Sequence, residues 1–255
     1  MQKGNNLSLR FVKHARIDFG LYGQCVARAS GLVYACAWYL DIKAGEWDAL
    51  VWGNYEYVMP VPNRRKWGIR YVYQPVFAQQ LGIFPTPPEK IQKAFINELT
   101  RRFRYIHYQI GEVPAENILG KFKIKNLHTR ILSLEPGYDA LCKKFAGYIR
   151  RNLKKAESSG IRVIRQSSPD DFFRLQKISK EIPVPEQSWK SLRKLMEATL
   201  PDGRGVIYAA MDRNGELNAA AFFIIWNHRA YYLMVVCNSK GREQRTVFAI
   251  LDRFF

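Results

Sequence analysis

Apolar positions recur in this chain with a period of two in short runs and with a helical period between them, and the order of those runs repeats. Trp47–Trp52 and residues 55–61 and 71–77 read as three strands. Residues 89–103 follow, with Ile91, Ala94, Phe95, Leu99 and Phe103 on one helical stripe. Residues 206–211, 217–225 and 231–237 read as three more strands, and residues 245–255 as the helix after them. Gly53-Asn54 and Asn214-Gly215 are hairpin signals between the first two strands of each set. Residues 63–68 read as a basic turn before the third strand of the first set. Tyr71 and Tyr231 open the third strands, 160 residues apart. Self-similarity at such a spacing marks a duplicated unit, with residues 47–103 and 206–255 as its two copies.

The remaining segments fit around this repeat. Residues 9–17 read as an opening strand, 22–29 and 34–42 as short aromatic helices, 105–110 as a strand, and 121–134 as one or two more. Pro60 and Pro62 mark an edge or a bulge, since proline gives a ladder no donor. Pro136-Gly137 is the predicted boundary between domains 1–136 and 137–255. A single helix is expected over 138–158, closed by Gly160. Its apolar side carries Leu141, Phe145, Ile149 and Leu153. Lys143, Lys144, Arg150, Arg151, Lys154 and Lys155 share the opposite face with no acid among them. A strand over 161–165 and helices over 170–180 and 187–199 lead into the second copy. The fold class is α/β (α+β). The sequence stops at Phe255 inside a helix, so an unfinished sheet edge is expected to recruit a partner, as a homodimer or swapped assembly.

Composition narrows the possibilities. At 47% hydrophobic residues over 255 positions, two cores are affordable. No apolar run approaches the roughly 20 residues that span a bilayer, and the first residues lack a secretory apolar stretch, so the cytoplasm is the expected compartment. Cys25, Cys36, Cys142 and Cys237 form no CxxC pair and have no histidine at ligand spacing, so neither a disulfide nor a metal site is expected. His14, His107, His128 and His228 are scattered. The net charge of +18 draws polyanions: nucleic acid, an acidic membrane surface, or phosphate-bearing ligands.

Candidate chemistry lies where a strand feeds a helix through a polar turn. Such a turn presents backbone N–H groups, and the helix dipole adds partial positive charge, which suits a pyrophosphate. In the second copy the candidates are Val235 and Cys237 at the end of the strand, and Gly241, Arg242, Gln244 and Arg245 in the loop 238–244 and the helix start. Glu243 opposes an anion there. In the first copy Gln79 and Gly82 stand in the matching loop. Arg150, Arg151 and Lys154 on the basic helix face are candidates for an anionic substrate, the arginine pair being suited to bidentate contact. The aromatic set around Trp47–Trp52, Tyr55, Tyr57, Tyr71 and Tyr73 reads as sheet packing, with base stacking as the functional reading. No nucleophile with a base and an orienting group is legible, and Asp41, Glu46, Glu56 and Glu157 stand alone.

Three segments carry a family resemblance: YEYVMPVPNRRKWGIRYVYQPVFAQQLGIF, YIRRNLKKAE, and GELNAAAFFIIWNHRAYYLMVVCNSKGREQRTVFAILDRF. In this order they resemble the GNAT acyltransferases and, taken twice, the FemAB-like tandem GNAT proteins. The resemblance implies two tandem GNAT-like domains, each a mixed, mostly antiparallel sheet flanked by helices. It implies transfer of an acyl or aminoacyl group to an amine, from an acyl-CoA or, in the peptidoglycan branch, an aminoacyl-tRNA. The acceptor it implies is a small molecule or a peptidoglycan-precursor-like compound. The family's donor loop has the pattern Q/R-x-x-G-x-G/A. Arg242 matches its first position, while Arg245 and Val247 stand at the glycine or alanine positions; Gln79 and Gly82 fit it in the first copy, and Phe84 does not. The alternative function is a non-catalytic protein binding RNA or phosphate ligands on a degenerate GNAT fold.

Overall fold

A computed structural model describes residues 8–29, 31–112, 118, 120, 122–166, 168–179 and 183–255. The chain divides into two units, Met1–Lys125 and Asn126–Phe255, upstream of the Pro136-Gly137 break. Residues 121 and 180, at the ends of two expected elements, lie outside the described residues.

The first unit is a five-stranded sheet in the order β1 (Leu9–Val12), β2 (Trp47–Trp52), β3 (Tyr57–Lys66), β4 (Ile69–Val72) and β5 (Tyr105–Ile106). Neighbours are antiparallel except β4 and β5, which run parallel. The opening strand is shorter than expected, because the chain turns into a 3-10 turn at His14–Arg16. Alternation assigns two faces. Leu50, Met59 and Val61 pack with Phe95, Leu99 and Phe103, which bring in α3 (Glu89–Arg102). Trp47, Ala49 and Val51 point the other way, and Trp47 meets Tyr22 of α1 (Phe19–Ala29) at 5.2 Å between ring centroids. A short α2 (Ala37–Lys43) precedes β2.

β3 extends through the segment read as a turn. Asn63–Lys66 continue the strand and pair with β4, so that β2 holds its first half and β4 its second. This explains the two prolines. Val58 exchanges both backbone bonds with Phe84, so residues of its parity point away from β2. Pro60 and Pro62 share that parity and sit where β4 does not reach, so no ladder donor is lost. Their carbonyls accept from the Tyr108 hydroxyl (2.7 Å) and the Tyr73 N–H (3.2 Å).

The second unit is an antiparallel sheet, β6 (Arg162–Gln166), β7 (Gly205–Met211), β8 (Leu217–Trp226) and β9 (Arg229–Cys237). It is preceded by α4 (Tyr138–Lys143) and α5 (Gly147–Ser158). α6 (Asp170–Ile178) and α7 (Glu186–Thr199) follow β6; α8 (Ser239–Glu243) and α9 (Thr246–Phe254) follow β9. β8 reads LNAAAFFIIW and is buried on both faces over most of its length, as a central strand must be. Ala219, Ala221 and Phe223 lie under Ile250 of α9, where Phe254 stacks on Phe223 at 4.0 Å and 5°. α6 packs against β8 and β9.

Three expectations fail in this unit and its approach. The single helix over 138–158 breaks at Lys144–Ala146. Ala146 is extended (φ −62°, ψ 152°), Gly147 starts the new helix, and the Arg150 guanidinium donates to the Lys143 carbonyl at 2.9 Å. A continuous helix would bury glycine's backbone freedom mid-helix at a cost of about 1 kcal/mol. Residues 122–134 form no strand and pair with none among the described residues; Ile124, Leu127, Ile131 and Leu132 are exposed. The loop expected over 238–244 contains the short helix α8.

The duplication is visible in backbone geometry. β3 and β8 start at Tyr57 and Leu217 and end at Lys66 and Trp226, and β4 and β9 start at Ile69 and Arg229; every pair keeps the same 160-residue offset. The connecting turns coincide too. Trp67 (φ 50°) and Gly68 (φ 79°) match Asn227 (φ 47°) and His228 (φ 56°), each pair left-handed throughout, as a type I′ hairpin turn requires. No helix among the described residues is long and apolar enough to cross a membrane.

Candidate functional site

The first unit contains a pocket of about 410 Å³ where β2 and β3 leave the core. Its floor is Asp48, 6% exposed, in a strand that is otherwise apolar. Cross-strand register places Asp48 opposite Val61 and on the face of Asn63, two residues on. The carboxylate accepts from Lys13 Nζ (3.1 Å), the His14 backbone N–H (3.1 Å), Asn63 Nδ2 (3.2 Å) and Arg70 Nη2 (2.9 Å). Asn63 Oδ1 takes a second bond from the same Arg70 nitrogen at 2.7 Å. A buried carboxylate needs such partners, and here two cations answer one anion. Arg65 adds an exposed guanidinium to the wall; Arg64 and Glu46 complete the lining, the Arg64 guanidinium lying 4.2 Å from the centre of the Tyr73 ring. Arg65 stands directly across the ladder from Arg70, an arrangement of like charges that favours an anion between them. At the rim His14 Nε2 lies 2.9 Å from Asp41 Oδ1, which also receives the Trp47 indole N–H at 2.7 Å. Donors of this kind suit a carboxylate or phosphate, through charge-assisted bonds. In the sequence this site shows only as a lone aspartate within Trp47–Trp52, because its partners are 15 to 35 residues away.

In the second unit the residues predicted to cradle a donor are brought together, but bonded to the protein itself. Asn238 caps α8, its Oδ1 accepting the Gly241 N–H at 2.7 Å. The N–H groups of Arg242, Gln244 and Arg245 bond the carbonyls of Asn238, Lys240 and Arg242. The expectation of free N–H groups at this turn is therefore corrected: the chain winds into a helical turn that consumes them. Gly241 is buried, and a Cβ there would sit 2.5 Å from the Asn218 carbonyl oxygen, so the glycine serves close packing. Gln244 Oε1 accepts from the buried Asn218 Nδ2 at 3.2 Å, and Asn238 Nδ2 bonds Asn218 Oδ1 at 2.9 Å. Arg242 Nη1 reaches the Cys237 carbonyl at 3.3 Å, and Val235 joins the apolar cluster under α9. Arg245 is left-handed (φ 61°, ψ 32°), the conformation that the glycine of the donor-loop pattern adopts freely.

The other predicted residues stand apart from these. Arg150, Arg151 and Lys154 are exposed on α5, and the break at Lys144–Ala146 separates them from Lys143 and Lys144, so the six cations do not share one helix face. Gln79 is exposed in the first unit. Gly82 is buried, with its N–H directed at the hydroxyl of half-buried Tyr108. Beyond the paired residues of β4 and β5, Gln74 Oε1 accepts the Gln109 N–H at 3.0 Å, and Leu81 bonds Gln109 and Gly111 through its backbone.

Residues 143–253 match the family of acetyltransferase (GNAT) domains. Among solved structures, the crystal structure of FemX is similar, with a TM-score of 0.62 over 97% of this chain and 85% of the FemX chain, at 11% identity. At that identity the likeness is one of fold. No curated protein matches the chain in sequence. The FemAB-like, tandem GNAT fold expected from the quoted segments is thereby borne out.

Proposed function

We propose that the protein transfers an acyl or aminoacyl group to an amine, with the anionic part of the acceptor held in the pocket above Asp48. The GNAT match over 143–253 supports the reaction class, and the likeness of the whole chain to FemX supports a peptidoglycan-precursor-like acceptor with aminoacyl-tRNA or acyl-CoA as donor. The observation that carries the acceptor assignment is the set of cations Lys13, Arg65 and Arg70 around the neutralised carboxylate of Asp48, which outnumber the two carboxylates, Asp48 and Glu46, of the lining. Two guanidinium groups can grip a phosphate or carboxylate bidentately while the acceptor amine extends to the donor. An amine attacking a carbonyl needs its own proton removed and the developing oxyanion stabilised.

The test is a transfer assay with acetyl-CoA and with aminoacyl-tRNA against a nucleotide-linked muropeptide bearing a free amine. Transfer from one donor is expected, with Arg65→Glu raising the acceptor KM by about tenfold or more and leaving kcat within about twofold. No transfer from either donor defeats the reading, and an unchanged KM removes the pocket from it.

The engaged N–H groups of α8, together with Arg245 and Val247 where the donor loop has small residues, favour a second reading, in which the fold binds RNA or phosphate ligands without catalysis. That reading expects no turnover with any donor and RNA binding that weakens steeply with salt.

A further inference from the structure

The β3–β4 hairpin reaches beyond the sheet that carries it. β3 is buried from Val58 to Asn63 and exposed from Arg64 to Lys66. Its turn presents Trp67 at 89% exposure, beside Ile69 at 45%. Arg64, Arg65, Lys66 and Arg70 flank these two residues along the chain, Lys66 lying over the Trp67 ring, and residues 64–70 contain no acid. Cross-strand pairing distributes the cations over both faces. Arg65 and Arg70 lie on one face; Arg64 and Lys66 lie on the other, with Lys66 opposite Ile69.

The turn itself is conformationally costly. A bulky residue at φ 50° is an outlier, since asparagine and glycine are the side chains that tolerate this region. The second copy has Asn227 at the corresponding place, with φ 47°. The first copy thus keeps a tryptophan where its own duplicate shows the easier solution. Strain of this kind, with the large side chain turned to solvent, points to a use for that side chain.

We propose that this hairpin docks the protein on an anionic lipid surface, with Trp67 entering the interface and Lys66, whose ammonium lies 4.5 Å from the centre of the Trp67 ring, facing the headgroups beside it. An indole has an apolar body and a polar N–H, which is the combination the membrane–water boundary favours. Lysine and arginine beside it gain from the negative surface potential, and their apolar stems accompany the ring. Ile69 separates this surface from a nucleic-acid stacking platform: an aliphatic side chain gains from hydrocarbon contact and has no π-face for a base. The net charge of +18 adds long-range attraction of the same sign. The proposal stands independently of acyl transfer.

The experiment is vesicle co-sedimentation of the full chain with phosphatidylcholine alone and with roughly one-third phosphatidylglycerol, at low and high salt. Wild-type protein is expected on the anionic vesicles only, and to be released by salt. Trp67→Asn copies the turn of the second unit, so it is expected to fold with an equal or higher melting temperature and to lose about tenfold or more of the partitioning. Lys66→Glu is expected to lose about fivefold or more at low salt. If Trp67→Asn lowers the melting temperature, Ile69→Thr on the paired strand carries the same expectation of weakened binding. Equal binding to neutral vesicles overturns the proposal, as does wild-type partitioning by the Trp67 and Ile69 variants. Preferential capture of a single-stranded RNA 20-mer that displaces the vesicles, and that is itself lost in Trp67→Asn, overturns it in favour of RNA. None of Lys66, Trp67 and Ile69 lines the pocket above Asp48, so a failure here leaves the transfer assay untouched.

Discussion

Lys240 of α8 holds its ammonium 2.6 Å from the carboxylate of Asp212, at the turn between β7 and β8. Asp212 is 3% exposed and also accepts the backbone N–H groups of Asn214 and Glu216. The lysine bond, followed by those backbone donors, holds its pKa down to about 2 against an ordinary 3.8. The unfolded chain binds this proton more readily than the folded one between those values. The carboxylate's contribution to stability is therefore complete above about pH 3.8 and vanishes as the pH falls toward 2. Asp212→Asn should flatten the acid limb of a stability-versus-pH curve in that window. Lys240→Met should lower the urea midpoint at neutral pH. A full-strength acid limb in Asp212→Asn would show that other carboxylates govern it.

Gly241 sits where α8 presses on β8. An added Cβ would lie 2.5 Å from the Asn218 carbonyl oxygen, 2.8 Å from Cys237 Sγ and 2.9 Å from Thr246 Oγ1. The carbonyl belongs to a strand and cannot swing aside. Gly241→Ala is expected to destabilise by about 1–3 kcal/mol, read by denaturant unfolding.

Lys43 is 6% exposed, with its ammonium 4.5 Å from the centre of the Phe77 ring. Burial lowers its pKa from 10.5 to about 7. Between those values the unfolded chain carries the extra proton, so stability should rise with pH from about 7 to about 10.5. Lys43→Met removes that slope. It should stabilise by roughly a few kcal/mol below pH 7, where the buried lysine must be charged, and by little above pH 10.5. Melting temperatures of both proteins across this range provide the measurement; parallel curves would contradict it.

Arg245 starts α9 from the left-handed region, φ 61°. Glycine takes this conformation without the Cβ clash, which costs an L-residue roughly 1–2 kcal/mol. Arg245→Gly should raise the melting temperature by a few degrees. A drop would mean that the arginine side chain makes contacts worth more than the strain.

Some of this architecture is written locally. Residues 89–103 announce α3 through the spacing of Phe95, Leu99 and Phe103, and all three are buried in the core they predicted. The alternating run Trp47–Trp52 coincides with β2, and Asn214-Gly215 marks the turn that Asp212 stabilises. Local signals misled where two of them competed. Asn63–Lys66 is polar and basic enough to read as a turn, yet it is strand, because the ladder to β4 satisfies its backbone and Trp67-Gly68 makes the reversal. Arg150, Arg151 and Lys154 share a helical face with Lys143 and Lys144 only in an unbroken helix, and the break before Gly147 interrupts it. The glycine in the 238–244 segment looked like an opening for a ligand and is a point of close packing.

The sequence by itself determined the duplication, the order of strands and helices within each copy, and the turns at Gly53-Asn54 and Asn214-Gly215, because periodicity and turn chemistry are properties of neighbouring residues. Tertiary structure alone decided that Asp48 lies beneath Lys13, Asn63 and Arg70, and that Asn218 joins Asn238 to Gln244. Those partners are separated along the chain, and a buried polar group selects them only once strand register has placed them within hydrogen-bonding distance.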